Sequence, residues 1–475
     1  MNFHQTSLRR ALAAALIHVV LFNFVSLSAL PSRAQSVVPE PRREHLLNGL
    51  RVLLSQRPGD AKVWMRLRVH SGAAFDLANK EGTMALLSDA LFPDPSTRQY
   101  VTEELGGQLD VHTTYDDIEI TVGGNASEFD RMAELLRNAL LQMRLTPEDV
   151  QRMKDARLKA LDPSTQTTAQ LADRAVRARL FGAHPYGRSV EGTIDSLARI
   201  NRGDLMFARE RFLNPNNSTL VVVGNFDPQR AMRTFRQFFG PWRKSETIAP
   251  ATFRQPEAPD ARALIVAAAP GTRETQVRVA ARGVARSDRD RAAATLLTIV
   301  ARERWRASLK DASIANVSVV HESNAVSGLF LMRATAPVTA AASALESARA
   351  ALRSFASKPV GNDELDRAMR EFNASDSTQH ANEFPFVNVW LDSITYGYDA
   401  STDERAANSV TAADLQRVAA RLFGEGQFAS IIVGDASELR AALSNLAGGV
   451  EVAGAKSAAP HATATPPAQP APRRP

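Results

Sequence analysis

No cysteine occurs anywhere in the 475 residues. Disulfides, thiolate metal sites and a cysteine nucleophile are therefore all excluded. Aromatic residues are sparse at 6%, and no block of lysine and arginine is interleaved with them, so the chain lacks the footprint of a nucleic-acid binder. A pI of about 9.8 does not restore that reading, because the basic excess sits at the ends. Arg9, Arg10 and Arg33 fall in the first 34 residues, while Lys456, Arg473 and Arg474 outnumber Glu451 beyond Gly449. What lies between carries a net charge of about +1. After residue 30 no apolar run is long enough to span a bilayer. A G-x-S-x-G elbow, a Walker loop and a G-x-G-x-x-G following a strand are missing as well.

What is present begins with a leader. Arg9-Arg10 precede the apolar run from Ala11 to Leu30, and Ser32-Arg33-Ala34 places small residues three and one before a cut after Ala34. That is the order of an export signal, so residues 1–34 are expected to be a signal peptide and the mature chain periplasmic or secreted. The other reading of the same run is an uncleaved anchor, though His18, Asn23 and two serines interrupt it. The remaining length suits two domains of roughly 200 residues.

An internal repeat supports that division. Asp204-Leu205, Arg211-Phe212-Leu213 and the strand Leu220-Val221-Val222-Val223-Gly224 recur as Asp414-Leu415, Arg421-Leu422-Phe423 and Ile431-Ile432-Val433-Gly434. The offset is 210 at Asp204, Arg211 and Gly224, with no gap. The expected organisation is a first domain over 44–240, a Pro-rich linker over 241–262, a homologous second domain over 263–448 and an Ala/Pro-rich disordered tail over 449–475. Strand patterns at Leu46–Leu54, Val63–Val69, Leu109–His112 and Ile118–Val122 alternate irregularly with helices near Met84, at Ser96–Leu105, at Phe129–Met143 and after Thr146-Pro147. Such an order indicates α+β rather than a parallel α/β sheet.

The helix around Met84 carries Ala85, Ser88 and Asp89 at i, i+3 and i+4, on one face. An H-x-x-E-H zinc site would place its ligands and base there. Here one position has no donor, the second is a poor base, and a single carboxylate falls short of three ligands. The flanking residues Asn48-Gly49-Leu50-Arg51-Val52, Ser71-Gly72 with Asp76, Gly82, Leu91-Phe92, Glu104-Leu105-Gly106-Gly107, Val190-Glu191-Gly192-Thr193, Asn214-Pro215-Asn216-Asn217 and Gly271-Thr272-Arg273-Glu274-Thr275-Gln276 follow one another in a familiar order. From about Glu44 to Gly448 the chain resembles the pitrilysin/insulinase metallopeptidases, peptidase family M16.

That resemblance implies two homologous halves of mixed or antiparallel sheet plus helices (a LuxS/MPP-like metallohydrolase fold) closing as a clamshell on extended peptides. Active members take a third ligand, a Glu, from a helix seventy to eighty residues further on. Here that helix, Arg152 to Asp162, has no Glu and is basic, with Asp155 and Asp162 its only carboxylates. The resemblance therefore implies no metal in this chain and zinc in a homologous partner subunit of a heterodimer. It assigns substrate contact to the strand Asp110, Val111, His112 and Thr113, and to Lys310 and Asn316, with Arg304 as the alternative cation. Two other readings are a stand-alone peptide-binding or scaffold protein and a peptidase with an atypical site around Ser88, Asp89 and His112.

Overall fold

A computed structural model describes residues 40–162, 166–248, 250, 252–254, 257–268, 272–379, 385–399, 407–446 and 448–453. The predicted leader and most of the predicted tail lie outside them. The first half runs β1 (Arg42–His45), β2 (Arg51–Gln56), β3 (Lys62–Val69), α1 (Thr83–Asp89), α2 (Ser96–Glu103), β4 (Gln108–Thr113), β5 (Ile118–Asn125), α3 (Phe129–Leu141), α4 (Pro147–Ala160), α5 (Thr168–Phe181), α6 (Ile194–Arg199), α7 (Arg202–Phe212), β6 (Ser218–Gly224) and α8 (Pro228–Phe239). The second runs β7 (Ala263–Ala267), β8 (Glu274–Gly283), α9 (Arg291–Ser308), β9 (Ala315–Ser323), β10 (Gly328–Pro337), α10 (Ala341–Ser357), α11 (Asn362–Gln379), α12 (Pro385–Tyr396), α13 (Ala412–Phe423), β11 (Ala429–Gly434), α14 (Ala436–Ala442) and β12 (Val450–Val452). The architecture is α+β, with two mixed six-stranded sheets. Among the described residues no helix is long and apolar enough to cross a membrane.

Strand order displays the repeat directly. The sheets read β1-β2-β6-β3-β5-β4 and β12-β7-β11-β8-β10-β9, so β6 and β11, the repeated Val/Ile strands, hold the same place. Each pairs in parallel with one neighbour and antiparallel with the other. All their residues are buried, as a continuous β-branched run demands. The outer strand differs. β1 pairs antiparallel with β2, whereas β12 returns from the far end of the chain to lie parallel to β7. Of the tail expected from residue 449, Val450-Glu451-Val452 is instead a strand, short and alternating, that pairs with a free sheet edge.

One predicted strand also changes shape. Leu46–Leu54 reads as one alternating run, but the chain reverses between β1 and β2 over residues 46–50. Gly49 sits at φ +90°, and a Cβ there would lie 2.7 Å from the Cβ of Asn216. The Asn48 amide donates to the carbonyls of Phe239 and Trp242. The linker is anchored too: Trp242 is buried with its indole N–H on the Leu213 carbonyl, and the Phe253 ring packs edge-on against Phe75.

Each half covers one face of its sheet with its own helices. The other face receives a helix from the opposite half. α5 lays Val176, Leu180 and Phe181 against Leu329, Leu331, Ile431 and Val433 of the second sheet. Its Asp173 accepts from Arg278 at 2.5 Å, and its Arg177 pairs with Glu322. α12 crosses the other way, onto the first sheet, where its Asn388, Asp392 and Thr395 bond to Arg66, Arg68 and His70. The halves close on one another through this exchange.

Candidate functional site

The helix that would carry a metal motif is held at its start by Asp76. Its buried carboxylate accepts from the N–H groups of Gly82 (2.7 Å) and Met84 (2.9 Å), supplying donors at an uncapped helix start with partners. Burial pushes this carboxyl up to about 7, against the pull of the two N–H groups. Gly82 has φ +93°, and a Cβ there would stand 2.9 Å from the Glu191 carbonyl. Only glycine lets the 191–192 turn come this close. Glu191 is thereby delivered beside α1.

Between α1, α4 and that turn lies the guanidinium of Arg157. It donates from Nε to Asp89 Oδ2 (2.6 Å), and from Nη2 to Asp89 Oδ1 (3.0 Å) and the Ala85 carbonyl (2.9 Å). It pairs with Glu191 as well. Ser88 is buried and spends its hydroxyl on the Ala85 carbonyl at 2.7 Å. Tested against a divalent cation, the set does not fit. Ala85 has no side-chain donor, both oxygens of Asp89 are engaged, and an incoming cation would meet a fixed positive charge. Asp155 faces away, accepting from Gln151 on the exposed surface. Among the described residues no group of three or more His, Cys, Asp or Glu is placed to hold a metal. That α4 is basic is legible in the sequence, whereas the part played by Arg157 is not. Arg157 is one of two arginines on α4, 72 residues after Ala85, within the span where the resemblance expects a ligand.

β4, which carries Asp110, Val111, His112 and Thr113, is the edge of the first sheet. Leu109 and Val111 turn toward the helical core, and Gln108, Asp110 and His112 are exposed on the opposite face. That face opens into a cleft of about 490 Å³. Its walls are Arg66 and Arg68 of β3, Glu119 and Thr121 of β5, the three exposed β4 residues, and Arg286, Asn388 and Asp392 from the second half. Arg68 holds Glu119 (2.8 Å) and Asp392 (2.6 Å). Asp392 also takes Arg286, and Arg66 donates to Asn388 at 2.6 Å. Burial raises the Asp117 carboxyl to about 6, although Arg68 draws it down. Deeper in, Asp116 accepts from Tyr186 (2.8 Å), Tyr396 (3.2 Å) and the Ala325 N–H (2.9 Å), joining the hairpin turns of the two halves.

His70 extends this junction. Its ring nitrogens lie 2.9 Å from the hydroxyls of Thr395 and Thr219, one from each half. Burial, with Arg68 and Arg51 nearby, lowers it from 6.5 to about 3. The folded state thus favours neutral imidazole, and the stability this lends is whole above pH 6.5 and is lost as pH falls from there toward 3. A His70→Gln variant should lack that acid sensitivity. Between pH 6.5 and 4.5 its deficit against the native chain should narrow by about 2–3 kcal/mol in urea unfolding. Parallel pH profiles of the two proteins would refute this.

The remaining predicted residues do not join the cleft. Lys310 is exposed after α9. Asn316 is exposed at φ +52°, beside the irregularity in the β9–β10 ladder, with its amide 3.4 Å from the Thr335 hydroxyl. Asparagine is among the few residues that tolerate that conformation. Arg304 is committed to Glu364 (2.8 Å) and lies over the Phe355 ring. Ser88, Asp89 and His112 form no joint constellation, since His112 faces the cleft and α1 packs on the other side of the sheet.

The fold has relatives among known proteins. Residues 51–194 match the family model for insulinase (peptidase family M16), and residues 199–372 match the model for the peptidase M16 inactive domain. An uncharacterized zinc protease of Mycobacterium leprae is 26% identical over 203 residues, 42% of this chain and 46% of that protein. The mitochondrial-processing peptidase subunit beta of Caenorhabditis elegans is 21% identical, over 46% of this chain and 49% of that one. Human cytochrome b-c1 complex subunit 1 is 20% identical over 46% and 47%. This chain thus spans about half the length of the curated relatives it matches. Among solved structures, a protease from Helicobacter pylori superposes with a TM-score of 0.76 at 16% identity, covering 83% of this chain and 100% of that one. A periplasmic protease from Escherichia coli gives 0.67 at 14%, over 85% and 48%. At such identities these two likenesses speak to the fold alone.

Proposed function

The chain belongs to peptidase family M16, and on that premise we propose that it is a non-catalytic subunit of a two-chain exported zinc metallopeptidase. The observation that carries the reading is Arg157. A peptidase of this kind needs a bound metal as Lewis acid and source of activated water, and here an internal cation bonds to Asp89 and to the Ala85 carbonyl. The zinc would belong to a homologous partner with an intact H-x-x-E-H motif. This chain would complete the chamber and present β4, from Asp110 to Thr113, as an edge to which extended peptide adds as a further strand. Lys310 and Asn316 would touch peptide only outside the cleft. The predicted leader supports export to the periplasm or beyond.

A scaffold role is the second reading, supported by the likeness to a cytochrome b-c1 subunit. Quenched-peptide hydrolysis by the chain alone, by the homologous H-x-x-E-H subunit alone and by the mixture separates them. The proposal expects silence from this chain and at least a tenfold rise on mixing. A stable complex without any rise would favour the scaffold. Chelator-sensitive cleavage by this chain alone would sink both.

A further inference from the structure

Every side chain lining the cleft beside β4 is polar, while the other face of that strand is apolar through Leu109 and Val111. Successive residues of a strand point to opposite faces. A peptide paired along the outer edge of β4 must therefore send alternate side chains into a wholly polar space, and the rest toward the α1 side of the sheet. The charges in that space are not equally available. Arg68 and Arg286 are engaged by Glu119 and Asp392, and Arg66 lies 2.6 Å from Asn388 and 3.4 Å from Glu119. Asp110 differs: its side chain is 69% exposed, and no lysine or arginine among the described residues pairs with it, the imidazole of His112 standing 3.7 Å away. It also belongs to the strand that an incoming peptide would adjoin, where facing side chains lie roughly 5 Å apart at Cβ.

We propose that this edge selects peptides of alternating character, with lysine or arginine on the cleft face beside Asp110 and small or apolar side chains on the other. The inference rests on the peptide-docking reading above and adds which peptides dock. Fluorescein-labelled probes measured by anisotropy against the full chain test it. One probe is Gly-Val-Lys-Val-Lys-Val-Lys-Gly, the second has Glu for each Lys, and the third has the composition of the first with its lysines grouped. The first should bind at least tenfold more tightly than either of the others. Asp110→Lys, a change at an exposed side chain, should transfer the preference to the Glu probe by a similar factor.

Versions of the first probe N-methylated at alternate residues, in either set, separate the two layers of the argument. Loss of binding in one set confirms backbone pairing. Binding unaffected by either set, or no binding by any probe, overturns strand docking and the selection with it. Equal binding of the three unmethylated probes, with sensitivity to methylation, keeps the docking and overturns the selection.

Discussion

An Arg68→Met variant should lose about 3–5 kcal/mol of folding stability, the range for removing one partner from a buried ionic cluster. Arg68 is 6% exposed and donates to Glu119 from both Nε (3.0 Å) and Nη2 (2.8 Å), and to Asp392 from Nη1 (2.6 Å). Asp117 stands 3.9 Å away. Methionine fills much of the volume but leaves these carboxylates facing one another, with Arg286 on Asp392 and the more distant Arg66 on Glu119 as the remaining counter-charges. The loss should fall mainly on the association of the two halves, because Asp392 reaches Arg68 from α12. Adding Glu119→Leu should regain a substantial part of it, since apolar replacement of a whole buried pair is often neutral. Urea unfolding of the single and double variants decides this. A single variant within 1 kcal/mol of the native chain would mean that the junction is held by packing, and that the cluster is incidental.

Arg157→Ala should cost about 2 kcal/mol. The expected loss is smaller because the carboxylates are wetter: the side chain of Asp89 is 37% exposed and that of Glu191 60%, against 15% for Arg157. Exposed pairs contribute little, so most of the loss comes from the forked bonds to Asp89 and the bond to the Ala85 carbonyl. Arg157→Lys keeps the charge without the fork and should recover no more than about half. Thermal midpoints of the three proteins measure the order. If Lys matched Arg, the site would be a simple charge balance, and the claim that a planar group ties α1 to α4 would fail.

Much of this molecule can be read from its sequence, for identifiable reasons. The ungapped offset of 210 between the repeated helix–strand units becomes two sheets that share one strand order in all but the outermost strand, because a continuous Val/Ile run must occupy a central strand. The Thr146-Pro147 start of α4 is local chemistry, and the hydroxyl caps the Asp149 N–H as expected. What could not be read is chiefly long-range. Arg68 and Asp392 are 324 positions apart, and nothing near either residue announces the other. A partial signal lies in β3 and the residue after it, where Arg66, Arg68 and His70 alternate with Met65, Leu67 and Val69: an interior strand with one charged face asks for a polar partner surface. The turn at Asn48-Gly49 was hidden by leucines on either side, of which Leu47 is fully exposed. Lys310 and Asn316 were placed by resemblance alone, and the fold leaves them outside the cleft.

We propose that the Arg157 guanidinium holds the place where a catalytic metal would act. Calorimetric titration of the purified full chain with zinc at neutral pH, repeated on Asp89→Ala, tests it most directly. No stoichiometric binding of micromolar or tighter affinity is expected in the native chain, and no change on removing Asp89. One zinc per chain, bound tightly and lost with the Asp89 carboxylate, would contradict it.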